Sequence, residues 1–175
     1  LPSSLLLGCT QHITTDVATV PLLWMIPLAL YLATFIIAFA RPRVAPPALS
    51  LLTAALLTSL TVIALREAKK PELLVGGLHL ATFFCGALLC HLRLAAARPA
   101  PRHLTTFYLV IALGGVIGSA CNALLAPVLV DRVLEYPLAL AALALLLHDR
   151  SSPGVRASWR TPALFVAAVT ALVAL

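Results

Sequence analysis

Two short polar stretches interrupt the long apolar runs of this chain and hold the side chains best suited to chemistry. The first runs from 11 to 16 and gathers Gln11, His12, Thr14, Thr15 and Asp16; the second, DRVLE at 131–135, brings Asp131 and Glu135. Carboxylates with hydroxyls and an imidazole are equipped to hold a small cation or to exchange a proton, and ionisable groups next to apolar spans are functional by default because they are costly there. A plainer reading stands beside this one. Thr15 or Asp16 can cap a helix starting near Pro21, since small oxygen-bearing side chains satisfy the first free amides and proline suits a first helical turn.

Nothing else in the sequence assembles a reactive centre. Cys9, Cys85, Cys90 and Cys121 all lie in apolar runs, where a free thiol behaves as a small hydrophobe. Cys85 and Cys90, five apart, fall on opposite faces of a helix, and Cys90–His91 lacks the paired spacing of a zinc site, so no metal is expected. His79, His91, His103 and His148 are scattered; His91, close to Arg93, is either an interfacial hydrogen bonder or a proton relay. No nucleophile, base and orienting group occur together at workable spacing, so no catalytic residue and no cofactor are assigned.

The elements that must position these groups are membrane helices. Hydrophobic residues make up 62% and charged residues 10% of the 175, whereas soluble domains run near 45–50% and about 25%, so the excess requires lipid as solvent. The expected fold is therefore all-α, a polytopic transmembrane bundle of about six to seven spans forming one domain over 1–175. Spans are read at Ser3–Ile13, Val20–Ala40, Leu49–Leu65, Leu73–Leu92, Leu104–Val130, Leu134–Leu147 and from Pro162 onward. The fifth is the longest, and Thr106–Val130 holds no charge; at about 1.5 Å per residue it more than covers a hydrocarbon core of about 30 Å. Within it Gly115, Gly118, Ser119 and Asn122 recur at helical spacing with Gly114 alongside. Small residues let helix backbones approach closely in lipid, so this face is expected to pack on another helix. In the second span Pro27 is expected to release the carbonyl of Leu23, and Trp24, Pro27, Tyr31 and Thr34 share a face that serves as a packing seam or a polar path.

A net charge of +6 does not point to nucleic acid, because the basic residues fall in the connections. Arg41, Arg43, Arg93, Arg98, Arg102, Arg150, Arg156 and Arg160 outnumber Arg66, Lys69, Lys70 and Arg132 on the other side, which places the first set in the cytoplasm. The 11–16 turn and the 131–135 loop then lie outside, with Trp24 and Tyr136 as boundary aromatics. The chain begins without an initiator Met or a signal peptide and ends inside an apolar run, so it is expected to be part of a longer protein.

The runs PSSLLLG, TTDVATVPLLWMIPLALYLATFIIAFA, CHLRL followed by RPAPRHLTTFYLVIALGGVIG, NALLAP and VLEYPLAL resemble, in that order, the membrane region of bacterial fused major-facilitator-like/spermidine synthase proteins. One dipeptide departs: after Cys90 and His91 that pattern has Gly-Glu, and this chain has Leu92 and Arg93. The resemblance implies a multi-pass domain of the bacterial inner membrane, normally preceded by other spans and followed by a spermidine-synthase-like domain that could be an aminopropyltransferase; no such domain is contained in these residues. It carries Thr14, Thr15, Asp16, Asn122, Glu135 and Tyr136 over as site positions, with His12 in the same outer chamber. The function expected is the movement or presentation of a small polar or cationic solute. The alternative is a non-catalytic accessory subunit of a larger membrane complex. The expected partners are the lipid bilayer and other transmembrane helices, from the same full-length protein or a larger complex.

Overall fold

The computed structural model describes residues 1–14, 22–40, 45–65, 72–125 and 135–148, and every regular element among them is helical. In chain order these are α1 (Pro2–His12), α2 (Met25–Ala40), α3 (Pro47–Leu65), α4 (Glu72–Ala96), a 3₁₀ turn at Pro101–His103, α5 (Leu104–Ala120) running into a π turn at Cys121–Leu125, and α6 (Glu135–His148). Two stretches, Leu74–Ala96 and Pro101–Ala120, are long and apolar enough to cross a membrane; Met25–Ala40, Pro47–Ile63 and Tyr136–Leu147 are apolar but shorter. The seventh span, from Pro162, lies outside the described residues.

Several boundaries differ from the sequence reading, each for a local reason. The second helix does not start at Pro21. Leu22 has φ 77°, a left-handed backbone that a side chain bearing a Cβ rarely adopts. A turn follows, with the Met25 amide donating to the Leu22 carbonyl at 2.9 Å, and α2 begins at Met25. Pro27 consequently sits in the first turn of α2, where its missing N–H breaks no helical bond, rather than interrupting the middle of a span. The fifth helix stops being regular at Ala120 and runs into a π turn over Cys121–Leu125. The wider π turn also changes the spacing that would align Asn122 with Gly115, Gly118 and Ser119. At the other end, α4 outruns Leu92 and takes in Arg93, which is a helical residue and not a loop cation.

α4 lies at the centre, packed on α1, α2 and α3, while α1 also touches α2, α5 and α6, and α3 touches α6. The main core joins Leu5 and Cys9 of α1, Leu57 of α3, Phe83 and Ala87 of α4, and Tyr136, Leu140 and Leu143 of α6. A smaller cluster of Ala38, Leu92 and Ala95 ties the far ends of α2 and α4 together. On α2 the buried positions are Pro27, Thr34 and Ala38, with Tyr31 partly covered in the same stripe; that face is the packing seam, and Trp24 lies off it at 50% exposure.

Glycine sets the closest approaches. A Cβ on Gly8 would stand 2.9 Å from the Tyr136 ring and 3.0 Å from the Tyr136 Cα, so α1 and α6 meet nearly backbone to backbone. Gly115 and Gly118 turn toward α1: a Cβ there would lie 3.5 Å from the Ser3 Oγ and 3.1 Å from the Ser4 Oγ, and the Ser4 hydroxyl donates to the Gly118 carbonyl at 3.1 Å. Ser119 is half-buried on the same side, whereas Gly114 faces open space. Close approaches of this kind, with hydrogen bonds across them, are how helices associate in lipid. Much of the remainder of α5 is exposed, including Val110, Leu113, Val116 and Ile117.

Candidate functional site

Three polar side chains meet where the last turn of α1, the second turn of α4 and the first turn of α6 converge. The Nε2 atoms of His12 and His79 are 3.1 Å apart, and the other ring nitrogen of His79, Nδ1, is 2.8 Å from the Tyr136 hydroxyl. The His12 ring stacks on Tyr136 with centroids 5.6 Å apart and tilts against His79 at 4.3 Å. Tyr136 is 5% exposed, and Cys9, fully buried, packs in the same core cluster. Gly8 makes the cluster possible, because any side chain there would push Tyr136 away from α1.

The hydrogens in this chain of contacts are interdependent. Each neutral imidazole carries one N–H and one lone pair, so the gap between the two Nε2 atoms holds a hydrogen from one ring only. If Tyr136 donates to His79 Nδ1, then His79 must donate to His12. If His79 donates to the Tyr136 oxygen, then His12 must donate to His79. A linked pair of imidazoles ending on a hydroxyl can thus pass a choice of tautomer from one end to the other, and can accept a proton.

A second histidine is placed differently. His91 is 3% exposed, with its Nδ1 3.1 Å from the Thr34 hydroxyl oxygen, and the rings of Tyr31 and Phe35 stand edge-on to it at 5.2 Å each. The Thr34 hydroxyl donates to the Tyr31 carbonyl at 2.7 Å, so Thr34 accepts from His91 and the ring is held as the Nδ1–H tautomer. His91 is therefore a core residue and not an interfacial one. Beyond it Arg93 reaches across to donate to the Leu146 carbonyl at 2.7 Å, satisfying an end carbonyl of α6. Arg98 and Arg102 are exposed at this same end of α4, roughly 20 Å along the axis from His79.

The chain matches no family model, no curated protein and no solved structure.

Of the site positions read from sequence, the structure joins His12 and Tyr136 directly. Thr14 is two residues further along, its hydroxyl donating to the carbonyls of Thr10 and Gln11. Thr15, Asp16 and Asp131 lie outside the described residues, as do the side chains of Asn122 and Glu135; the backbone of Glu135 opens α6, next to Tyr136. Sequence reasoning missed His79, because a single histidine in an apolar run carries no spacing signal. It lies far along the chain from both partners, and only the packing of α4 on α1 shows the link. Among the described residues no three His, Cys, Asp or Glu side chains gather to hold a metal ion.

Proposed function

We propose that this chain is a multi-pass domain of a bacterial inner membrane, built from six to seven spans, that moves or presents a small polar or cationic solute at the junction of α1, α4 and α6. The observation that carries the reading is the hydrogen-bonded run His12–His79–Tyr136. Polar, protonatable groups packed together among apolar helices are expensive to keep and mark solute or proton pathways. Glu135 adjoins this run in sequence, and Asp16 follows His12 by four residues, which supplies carboxylates for an ammonium group. Membership in the fused major-facilitator-like/spermidine synthase family belongs to the same proposal and rests on the ordered runs quoted above.

The test is binding of radiolabelled spermidine to the chain in nanodiscs, with Asp16→Asn and Glu135→Gln compared with wild type. Asparagine keeps a capping oxygen and removes the charge, so a helix cap survives the first change and a cation site does not. Loss of binding in both variants is the expected result, and an absent wild-type signal rejects the solute. The accessory-subunit reading then takes its place. One observation favours that second reading: α5 buries no residue and presents a wide apolar side, as a helix that docks in a larger assembly would.

A further inference from the structure

The site holds two imidazoles where one would suffice to bind a donor, and they face each other nitrogen to nitrogen. We infer that His12 and His79 form a single proton-binding site, shared across their Nε2 contact and latched by Tyr136 acting as a positioning residue. The inference rests on the reading of this junction as the working site, and its ligand is the proton itself.

The geometry allows two complete settings. In the first, Tyr136 donates to His79 Nδ1 and His79 Nε2–H donates to His12 Nε2. In the second, both directions are reversed: His12 Nε2–H donates to His79, and His79 Nδ1–H donates to the Tyr136 oxygen. Both settings keep the His12–His79 and His79–Tyr136 bonds, so the hydroxyl of one buried tyrosine governs the tautomer of two histidines.

Only the second setting can be charged. There the His12 ring nitrogen remote from His79 has no hydrogen of its own and takes a proton from hydronium or from a hydrogen-bonded neighbour; an N–H bond forms and the donor's bond to that proton breaks. The Nε2–H proton can then cross the 3.1 Å gap, leaving His12 neutral and His79 as imidazolium. His79⁺ donates Nδ1–H to the Tyr136 oxygen, and charge-assisted bonds of this type are about twice as strong as neutral ones. A second proton would put two cations in contact, so the pair takes up one. Among the described residues the titratable groups beside it are Cys9 from α1 and Tyr136 from α6, with Glu135 next in the chain.

The experiment is ¹⁵N NMR of histidine-labelled full chain in nanodiscs over a pH series with no solute present, with His12→Asn and His79→Asn used to assign signals. Ring nitrogen shifts separate the two neutral tautomers from imidazolium. The expected result is that both rings move together and share one proton. Tyr136→Phe should lower the charged population at a given pH about tenfold or more, the loss of one hydrogen bond to a charged group, whereas a merely structural tyrosine would leave the charge state unmoved. Two rings that titrate independently, or one that charges while the other stays unchanged, overturn the shared site; an unchanged Tyr136→Phe titration overturns the latch. Should Tyr136→Phe not fold, the wild-type titration still decides the sharing. Because no solute enters the measurement, a chain that fails to bind spermidine can still pass this test, and the two failures are distinguishable.

Discussion

The contact between Gly8 and Tyr136 sets how closely α1 and α6 approach, and its strength can be read by adding one methyl group. In Gly8→Ala the new Cβ would lie 2.9 Å from the Tyr136 Cδ2 and 3.0 Å from both its Cα and its Cβ. Ordinary carbon contacts lie near 3.5–4.0 Å. A ring can swing aside, but a Cα cannot, so the two helices must separate by several tenths of an ångström. Overpacking of this kind costs about 1–3 kcal/mol. Against it stands the gain from replacing a mid-helix glycine, about 0.5–1 kcal/mol. Gly77 on α4 provides the reference, because a Cβ there meets nothing within 4 Å. Gly77→Ala is therefore expected to stabilise by about 0.5–1 kcal/mol. Gly8→Ala should fall about 1–3 kcal/mol below it, the cost of the clash. Thermal unfolding of both variants in one mild detergent measures the difference. A Gly8→Ala protein that melts with or above Gly77→Ala would refute the backbone-to-backbone approach and, with it, the stacking of His12 on Tyr136.

Two further outcomes follow from the same contacts. Gly118→Leu should weaken the fold by about 1–3 kcal/mol relative to Gly114→Leu, since the first side chain is driven into Ser4 and the second into open space; equal detergent melting of the pair would remove the α1–α5 seam. Thr34→Val keeps shape but strips the acceptor from His91 Nδ1–H, which is 3% exposed. A loss of about 1–3 kcal/mol in unfolding free energy is expected, with Thr34→Ser largely sparing it; a neutral valine variant would refute the assigned tautomer.

The helices were legible because their signal is redundant. Long apolar runs broken by Arg, Pro and polar clusters give the described helices to within a few residues at most ends, and the small-residue spacing in α5 marks the side that meets α1. Boundaries failed where a single backbone angle decided them: nothing in Pro21-Leu22-Leu23 announces a left-handed leucine, yet that residue delays α2 until Met25. The π turn at Cys121–Leu125 was hidden for a similar reason, since a continuous uncharged run reads as one helix whatever its hydrogen bonding. The site was half legible. His12 and Tyr136 stood out as polar punctuation at run ends, whereas His79 sits in the run LLVGGLHLATFF and Gly8 in LLLGCT, where neither residue type nor period separates a site from filler.

The two histidines of α4 show what the packing adds to the residue type. His91 and His79 are both on α4, and both meet a hydroxyl through Nδ1. What differs is the hydroxyl. Thr34 is one turn of α2 from a carbonyl that claims its hydrogen at 2.7 Å, so it can only accept, and His91 is fixed in one tautomer between two aromatic edges. Tyr136 instead meets an imidazole whose other nitrogen faces a second imidazole with the same freedom. A carbonyl neighbour turns histidine into a structural pin, and a second imidazole turns it into a reversible link. The bundle places the pin toward the arginine-bearing end of α4 and the link at the opposite end, where α6 opens at Glu135. On the proposed reading, proton exchange belongs to that end of the bundle and is separated along α4 from the Thr34–His91 pair.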